Sequence, residues 1–327
     1  MKYLVFAVFT LVSIFTHAQT NTNLFPVRGQ KAWYYSDAEG RIVIEERFTV
    51  ARPFYKGLAV ASDKSIGMFD PLLGLLRSDG SWLIQPEFEV IGTFTDDLAP
   101  FKRKGKWGLL NVEGKTSMPA TFQETGFIGD GYCGVETNYK WGFADYFGNI
   151  RIAEVYNQIT PFEGGRAMVR LGSRWIMIDK NGRQSVKGDW DYADALSEGL
   201  APVRYSGGLW AYVDTSGRRV IQPAYKDARP FREGRAAVRI GDYYGFIDRT
   251  GREVVSAVYS KVADFSEGYA AVYYRGKWGY VDQNGKVIVR AVYADAEPFR
   301  GGLARVKDGS GRFFYINPEG LVVLSGR

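Results

Sequence analysis

Apolar residues along this chain fall in short runs separated by turn residues, not at the spacing of a helix face. Trp278–Val281 and Lys286–Val289 are two such runs, aromatic and β-branched, with Asp282-Gln283-Asn284-Gly285 between them. Runs of this length and composition predict strands, and the intervening polar segment predicts a tight turn. A third run precedes them in each stretch of sequence, as in Leu200-Ala201-Pro202-Val203-Arg204 and Leu303-Ala304-Arg305-Val306-Lys307. The early segment Leu24-Phe25-Pro26-Val27-Arg28 fits the same slot.

The pattern repeats. A large apolar anchor stands at Trp33, Leu73, Trp107, Trp141, Trp175, Trp210, Tyr244, Trp278 and Phe313, with spacings of 34 or 35 except for a first step of 40. Seven residues after every anchor comes a glycine, from Gly40 to Gly320. Fifteen residues after each of the first eight comes an aromatic, from Phe48 to Tyr293. The 34-residue period also suits helical tetratricopeptide repeats. A glycine in the middle of every unit argues against them, because each would cost a helix about 1 kcal/mol. The chain is therefore read as nine three-stranded antiparallel units, A–B–C, with a six-residue insertion around Ser62–Leu72. An aspartate opens most B–C turns, where its carboxylate can accept backbone N–H groups, and the glycine closes them at positive φ. Arg77 holds the aspartate position in the second unit, so a different turn is expected there.

The expected fold is all-β, a tandem array forming an open β-repeat superhelix or solenoid, with a closed propeller-like ring as the alternative. Propeller blades usually have four strands and number four to eight, which favours the open form. One unit cannot bury its own face, so stability must come from its neighbours.

Composition narrows the function. The chain has 327 residues, 39 of them glycine, one cysteine and one histidine, and a net charge of +6. His17 ends an N-terminal stretch in which Lys2 precedes the apolar run Tyr3–Phe15. That arrangement reads as a secretory signal peptide over residues 1–18, cleaved after Ala18, with residues 19–327 forming one repeat domain. The run is shorter than the roughly 20 residues a membrane span needs. The mature chain then has no histidine, which excludes Ser-His-Asp and Cys-His catalysis and His-ligated metal sites. Cys133 falls where other units carry alanine, so it reads as a small buried residue. No catalytic residue, metal site or cofactor is expected, and the location is periplasmic, outer-membrane-associated or secreted.

The Lys-Trp-Gly-Tyr-Val-Asp-Gln-Asn-Gly-Lys frame, followed by Phe-x-x-Gly-Leu-Ala-x-Val, resembles the WG-repeat (KWG-repeat) family of bacterial proteins over essentially the whole mature chain. That resemblance implies an exported bacterial repeat protein, acting as a binding or scaffold module, and supplies no catalytic residues. Departures from the frame are Leu73-Gly74, Ile176, Ala211, Tyr244 and Phe314.

Candidate functional residues are those the repeat does not require. The anchoring tryptophans could form a sugar-stacking ladder, but their fixed slot favours a core between units. Trp82 occupies a slot of mixed polarity near the insertion, and is either a contact residue or a local repacking that covers the insertion. The Asp-x-Asn-Gly turns at Asp179 and Asp282 resemble part of a calcium loop but lack its later ligands. Acidic groups at Asp189, Asp191 and Asp194 and at Asp96 and Asp97 could serve glycoside hydrolysis if paired across a cleft; a solvated face is the simpler reading.

The A–B loops carry the clearest surface signal. The six residues before the nine anchors hold fifteen basic residues and four acidic ones. The basic set includes Lys102, Arg103, Lys104, Lys106, Arg170, Arg174, Arg204, Arg275 and Lys277. Equivalent loops share one edge of a repeat array, so they predict a basic rim suited to an envelope protein or an anionic glycan. The alternative is that these side chains pack their stems across the neighbouring anchor. Nucleic acid suits the charge but not an exported protein. The expectation is a non-enzymatic binding or scaffold protein of the bacterial cell envelope; a carboxylate-dependent glycan hydrolase and a self-associating structural component are the alternatives.

Overall fold

A computed structural model describes residues 23–63 and 71–326. The proposed signal peptide, with His17, and most of the Ser62–Leu72 insertion lie outside the described residues. Everything regular in the described chain is strand. In unit eight, strand A is Tyr269–Tyr274, B is Lys277–Asp282 and C is Val287–Tyr293. They pair antiparallel in that order.

The anchor of strand B faces the aromatic fifteen residues on directly across the B–C ladder: Trp33 opposes Phe48, Trp175 opposes Trp190 and Trp278 opposes Tyr293. Strand C bulges just beyond this pair, and the bulge gives the glycine of the Trp-Gly pair its purpose. A Cβ at Gly142 or Gly279 would lie 2.5 Å from the carbonyl oxygen of Ile152 or Val289. At that separation strand C would have to move away.

The B–C turns are built as expected. Asp282 Oδ1 accepts the N–H groups of Asn284 and Lys286, both at 2.9 Å, while Gly285 takes φ +83°. The second unit does not differ as expected. Gly80 N–H still bonds Arg77 O at 3.0 Å, and Asp79 accepts from Ser81 N at 2.8 Å. The carboxylate has moved two positions along the turn but still holds it closed.

A feature beyond the A–B–C reading joins the units. After one residue, strand C of each unit continues into a short strand that pairs with strand A of the next unit. Val287–Tyr293 is followed by Asp295–Ala296, which pairs with Ala304–Lys307. In unit five, Gln184–Ala193 is unbroken and joins seven strands into one sheet. The linkers close by tight turns such as Ser266-Glu267-Gly268-Tyr269, with Glu267 at φ +53° and Gly268 at φ +84°.

The core lies between units. A large side chain in the middle of strand B packs on an apolar residue of the following linker: Tyr35 on Phe54, Phe143 on Phe162, Tyr212 on Phe231, Phe246 on Phe265 and Tyr280 on Phe299, with ring centroids 4.7–5.0 Å apart. The tyrosines add a hydrogen bond. Tyr35, Tyr212 and Tyr280 donate to the carbonyls of Arg52, Arg229 and Glu297, at 2.9, 2.8 and 2.7 Å. Carboxylates in the linker turns run parallel to this core. Glu233 accepts the N–H groups of Glu267 and Gly268, and Glu267 accepts those of Gly301 and Gly302.

The result is the tandem β-repeat stack expected from the sequence. Among the described residues no strand is shared between its ends, so strand pairing does not close it into a barrel. Its ends nevertheless meet through side chains. Gly80, Gly182 and Gly251 stand against the C-strand residues Ile44, Ile152 and Ile221 of the preceding unit, and Gly40 of unit one stands against Leu324 of unit nine. Phe25 packs edge-on against Tyr315 at 5.4 Å.

Candidate interaction surface

The A–B loops of units three, four, five, seven and eight are two-residue hairpin turns, as the pairs Lys106–Arg103, Lys140–Thr137, Arg174–Leu171, Tyr243–Ile240 and Lys277–Tyr274 show. In units three, four and eight both central residues take positive φ, as at Lys104 (+52°) and Gly105 (+72°), and in units five and seven the first one does, Gly172 (+63°) or Gly241 (+62°); both turn forms match the right-handed twist of the flanking strands. By the repeat, all these turns share one edge of the stack.

The structure divides the basic rim in two. One set lies opposite the anchors across the A–B ladder: Arg28 opposite Trp33, Lys102 opposite Trp107, Arg170 opposite Trp175, and Arg204 opposite Trp210. Three of these cations cover an anchor ring: Arg28 at 5.6 Å from the Trp33 centroid, Lys102 at 5.7 Å from Trp107, and Arg204 at 5.9 Å from Trp210. Arg204 also lies 4.0 Å from the Tyr192 ring. Arg170 Nη1 reaches Gln158 Oε1 at 3.4 Å, while its Nε is buried without a hydrogen-bond partner. For this set the packing alternative describes the geometry: the stem shields the aromatic and the charge sits over its face.

The second set sits at the turns. Lys104, Lys106, Arg275 and Lys277 are exposed, and Arg275 leans on the Tyr274 ring at 5.1 Å. Arg103 pairs with Glu87 and covers Phe88, and Arg174 pairs with Asp191 at 3.1 Å. Large apolar side chains project from the same edge, a signal that the charge count missed. Tyr139 is 88% exposed at φ +61°, and Leu171, Tyr243 and Tyr274 are exposed on the equivalent hairpins. Reading hairpin tips for aromatics, as well as for charge, would have found them.

The other candidates fall elsewhere. Trp82 is half-buried, edge-on to Phe48 at 6.1 Å, and its Nε1 donates to Asp63 at 3.3 Å. It therefore joins the junction of units one and two to the first residues of the insertion. The anchors are mostly half-buried, and Trp175 is buried, which places them at the outer margin of the core instead of in an open ladder. Cys133 is buried, 2.9 Å from Thr125 Oγ1, and burial pushes its thiol pKa up.

The acidic groups whose side chains the structure describes, which leaves out Asp189, are engaged with protein partners. Asp97 pairs with Lys56 at 2.6 Å, Asp96 accepts from Tyr146 at 3.2 Å, Asp191 holds Arg174 and Ser206, and Asp194 accepts from Ala195 N at 2.7 Å. The structure does not bring Asp96–Asp97 and Asp191–Asp194 together, because they belong to linkers three units apart. Asp179 spends Oδ1 on the N–H groups of Asn181 and Arg183. Among the described residues, no helix is long and apolar enough to cross a membrane.

Comparison with solved structures places the chain among repeat β folds. A structure described as the eukaryotic initiation factor aligns with a TM-score of 0.60 at 13% identity, covering 92% of this chain and 95% of that one. BamB from Moraxella catarrhalis aligns at 0.47 and 14% identity, covering 92% and 98%. At 13% identity the first of these likenesses is one of fold alone. No curated protein matches the sequence. The sequence model for the WG containing repeat matches eight successive segments, 35–63, 74–107, 107–141, 141–175, 177–210, 210–244, 244–278 and 278–310. Each segment spans one B–C turn and the following linker and strand A, so the chain belongs to the WG-containing repeat family.

Proposed function

We propose that this protein is a non-enzymatic binding or scaffold protein of a bacterial cell envelope, exported by its N-terminal signal, and that it engages an anionic partner through the A–B hairpin edge. One observation carries the reading: exposed cations at Lys104, Lys106, Arg275 and Lys277 share an edge with exposed Tyr139, Tyr243 and Tyr274. Cations steer an anionic ligand to the surface, and rigid aromatic tips supply contact area at low entropic cost. An acidic envelope protein or an anionic glycan suits such an edge.

The test compares the wild-type chain with K104E/K106E/R275E/K277E in retention of native envelope extract at low and high salt. The turns are exposed, so the variant should keep its unfolding midpoint while losing the salt-sensitive partners. Retention equal to wild type would refute the rim. The glycan hydrolase reading is disfavoured because Asp96, Asp97, Asp191 and Asp194 are tied to structural partners and dispersed. Release of reducing sugar from envelope glycan would revive it.

A further inference from the structure

Opposite the anchor of strand B, across the A–B ladder, most units carry a cation: Arg28, Lys102, Arg170, Arg204, Arg239 and Lys307. Unit eight places Tyr273 there, opposite Trp278. The cation stands one strand further out, at Lys261, which pairs with Tyr273 across the adjoining ladder. Lys261, Tyr273, Trp278 and Tyr293 therefore form one row across the four strands of this sheet. The Tyr273 and Trp278 rings lie 5.2 Å apart at 58°, and the Lys261 ammonium is 5.4 Å from the Tyr273 centroid. Among the described residues no cation lies over Trp278, in contrast to Trp33, Trp107 and Trp210. Tyr293 ends the row in the core, against Phe314 of unit nine at 5.7 Å. The other end opens at the hairpin edge, where Lys261 is exposed and Tyr273 and Trp278 are half-buried.

The polar groups along this row are uncommitted. Among the described residues the Tyr273 hydroxyl, Trp278 Nε1 and the Lys261 ammonium have no hydrogen-bond or ion-pair partner in the chain. Lys277 forms no ion pair either, and its Nζ extends to within 4.0 Å of where a Cβ on Gly309 would stand, in the A–B loop of unit nine. That loop is slight, since a Cβ on Gly311 would meet nothing within 4 Å. The acids of the flanking A–B loops are already taken, Asp242 by Lys226 at 3.3 Å and Asp308 by Arg312 at 3.1 Å. The positive charge around the two rings is thus left uncompensated.

We propose that this notch between units eight and nine binds an acidic sugar residue of an anionic glycan. The site rests on the hairpin-edge reading and narrows its partner to a glycan. A pyranose chair is puckered, with C–H groups on its faces and hydroxyls around its rim. Two part-exposed rings at 58° make an angled shelf for it, and their free hydroxyl and N–H groups reach its oxygens. Lys261 and Lys277 hold the sugar's carboxylate by charge-assisted hydrogen bonds. A flat nucleobase instead stacks on one whole ring face, and an acidic peptide would use the cations but not the shelf.

The probes are tetragalacturonate, neutral maltotetraose, polyglutamate and oligothymidylate, each titrated by calorimetry into the full chain at low salt. Tetragalacturonate should bind saturably and about tenfold more tightly than maltotetraose. The deciding variant is Tyr273→Arg. It installs the residue native to this slot in units one, five, six and seven, so the urea midpoint should stay near that of wild type, and it adds a positive charge. Charge alone predicts tighter binding of every polyanion. The shelf predicts that tetragalacturonate binding falls about tenfold while polyglutamate binding does not fall. Lys261→Gln should weaken tetragalacturonate severalfold and leave maltotetraose unchanged. Tetragalacturonate binding unchanged or strengthened in Tyr273→Arg would overturn the sugar site and leave the rim standing. Equal binding of the acidic and neutral sugars, or tighter binding of polyglutamate or oligothymidylate than of tetragalacturonate, would do the same. Absence of binding by all four probes would overturn the sugar site and the rim together.

Discussion

Tyr212→Phe isolates the hydrogen bond that links one unit to the next. The ring of Tyr212 is fully buried, packs on Phe231 at 5.0 Å and donates to Arg229 O at 2.8 Å. Burial pushes its ionisation well above the usual tyrosine value, so the hydroxyl stays protonated and donating. Phenylalanine is already native to this slot as Phe143 and Phe246, packed on Phe162 and Phe265. The substitution therefore keeps the packing and removes only the donor. Leaving the linker carbonyl without its partner costs about 1–2 kcal/mol. Deleting the packing itself, by Phe231→Ala, costs about 3–5 kcal/mol. Urea unfolding followed by circular dichroism, with unchanged slopes, measures both. The converse, Phe246→Tyr, places a hydroxyl near the Ala263 carbonyl and should be neutral or stabilise by up to about 1 kcal/mol. A Tyr212→Phe loss below about 0.3 kcal/mol, or one matching Phe231→Ala, would refute the view that packing and hydrogen bond contribute separately.

Other expectations follow from the turns and the buried thiol. Asp214, Asp248 and Asp308 have carboxyls lowered to about 2, chiefly by the hydroxyls of Ser216, Thr250 and Ser310 and by backbone N–H groups. A depressed folded pKa gives stability that is present above the unfolded value and lost as pH falls through the folded one. Stability should thus decline between about pH 4 and pH 2, and the triple Asn variant should show a shallower decline in acid titration of the unfolding midpoint. Cys133 should not react with a thiol reagent in the native chain and should react fully in denaturant; rapid native labelling would contradict its burial. Glu267→Ala removes the acceptor for Gly301 and Gly302 N–H at 2.7 and 2.9 Å and should destabilise by about 1 kcal/mol. Glu267→Gly should cost less, because Glu267 sits at φ +53°, and urea midpoints order the two.

Much of this protein was legible in its sequence because the repeat is written in local chemistry. The glycine at +7 and the aspartate before it are demanded by a turn. The aromatic at +15 is demanded by direct opposition across a hairpin, as between Trp278 and Tyr293. Such constraints act within a few residues, so they recur in every unit. The small slot at Cys133 was legible for the same reason. Contacts between units were harder to read. That strand C runs on to pair with the next strand A, and that Tyr280 reaches Glu297 O, depends on how one unit lies on another, and that relation leaves no short-range pattern. The rim shows the same division. The charge count found the basic residues, but only cross-strand geometry separated Lys102 and Arg204, laid over tryptophans, from Lys104 and Lys277 at the open turns. The meeting of the two ends was likewise decided in three dimensions. A small rotation per unit accumulates over nine units until Leu324 reaches Gly40, and no single repeat encodes the sum of those rotations.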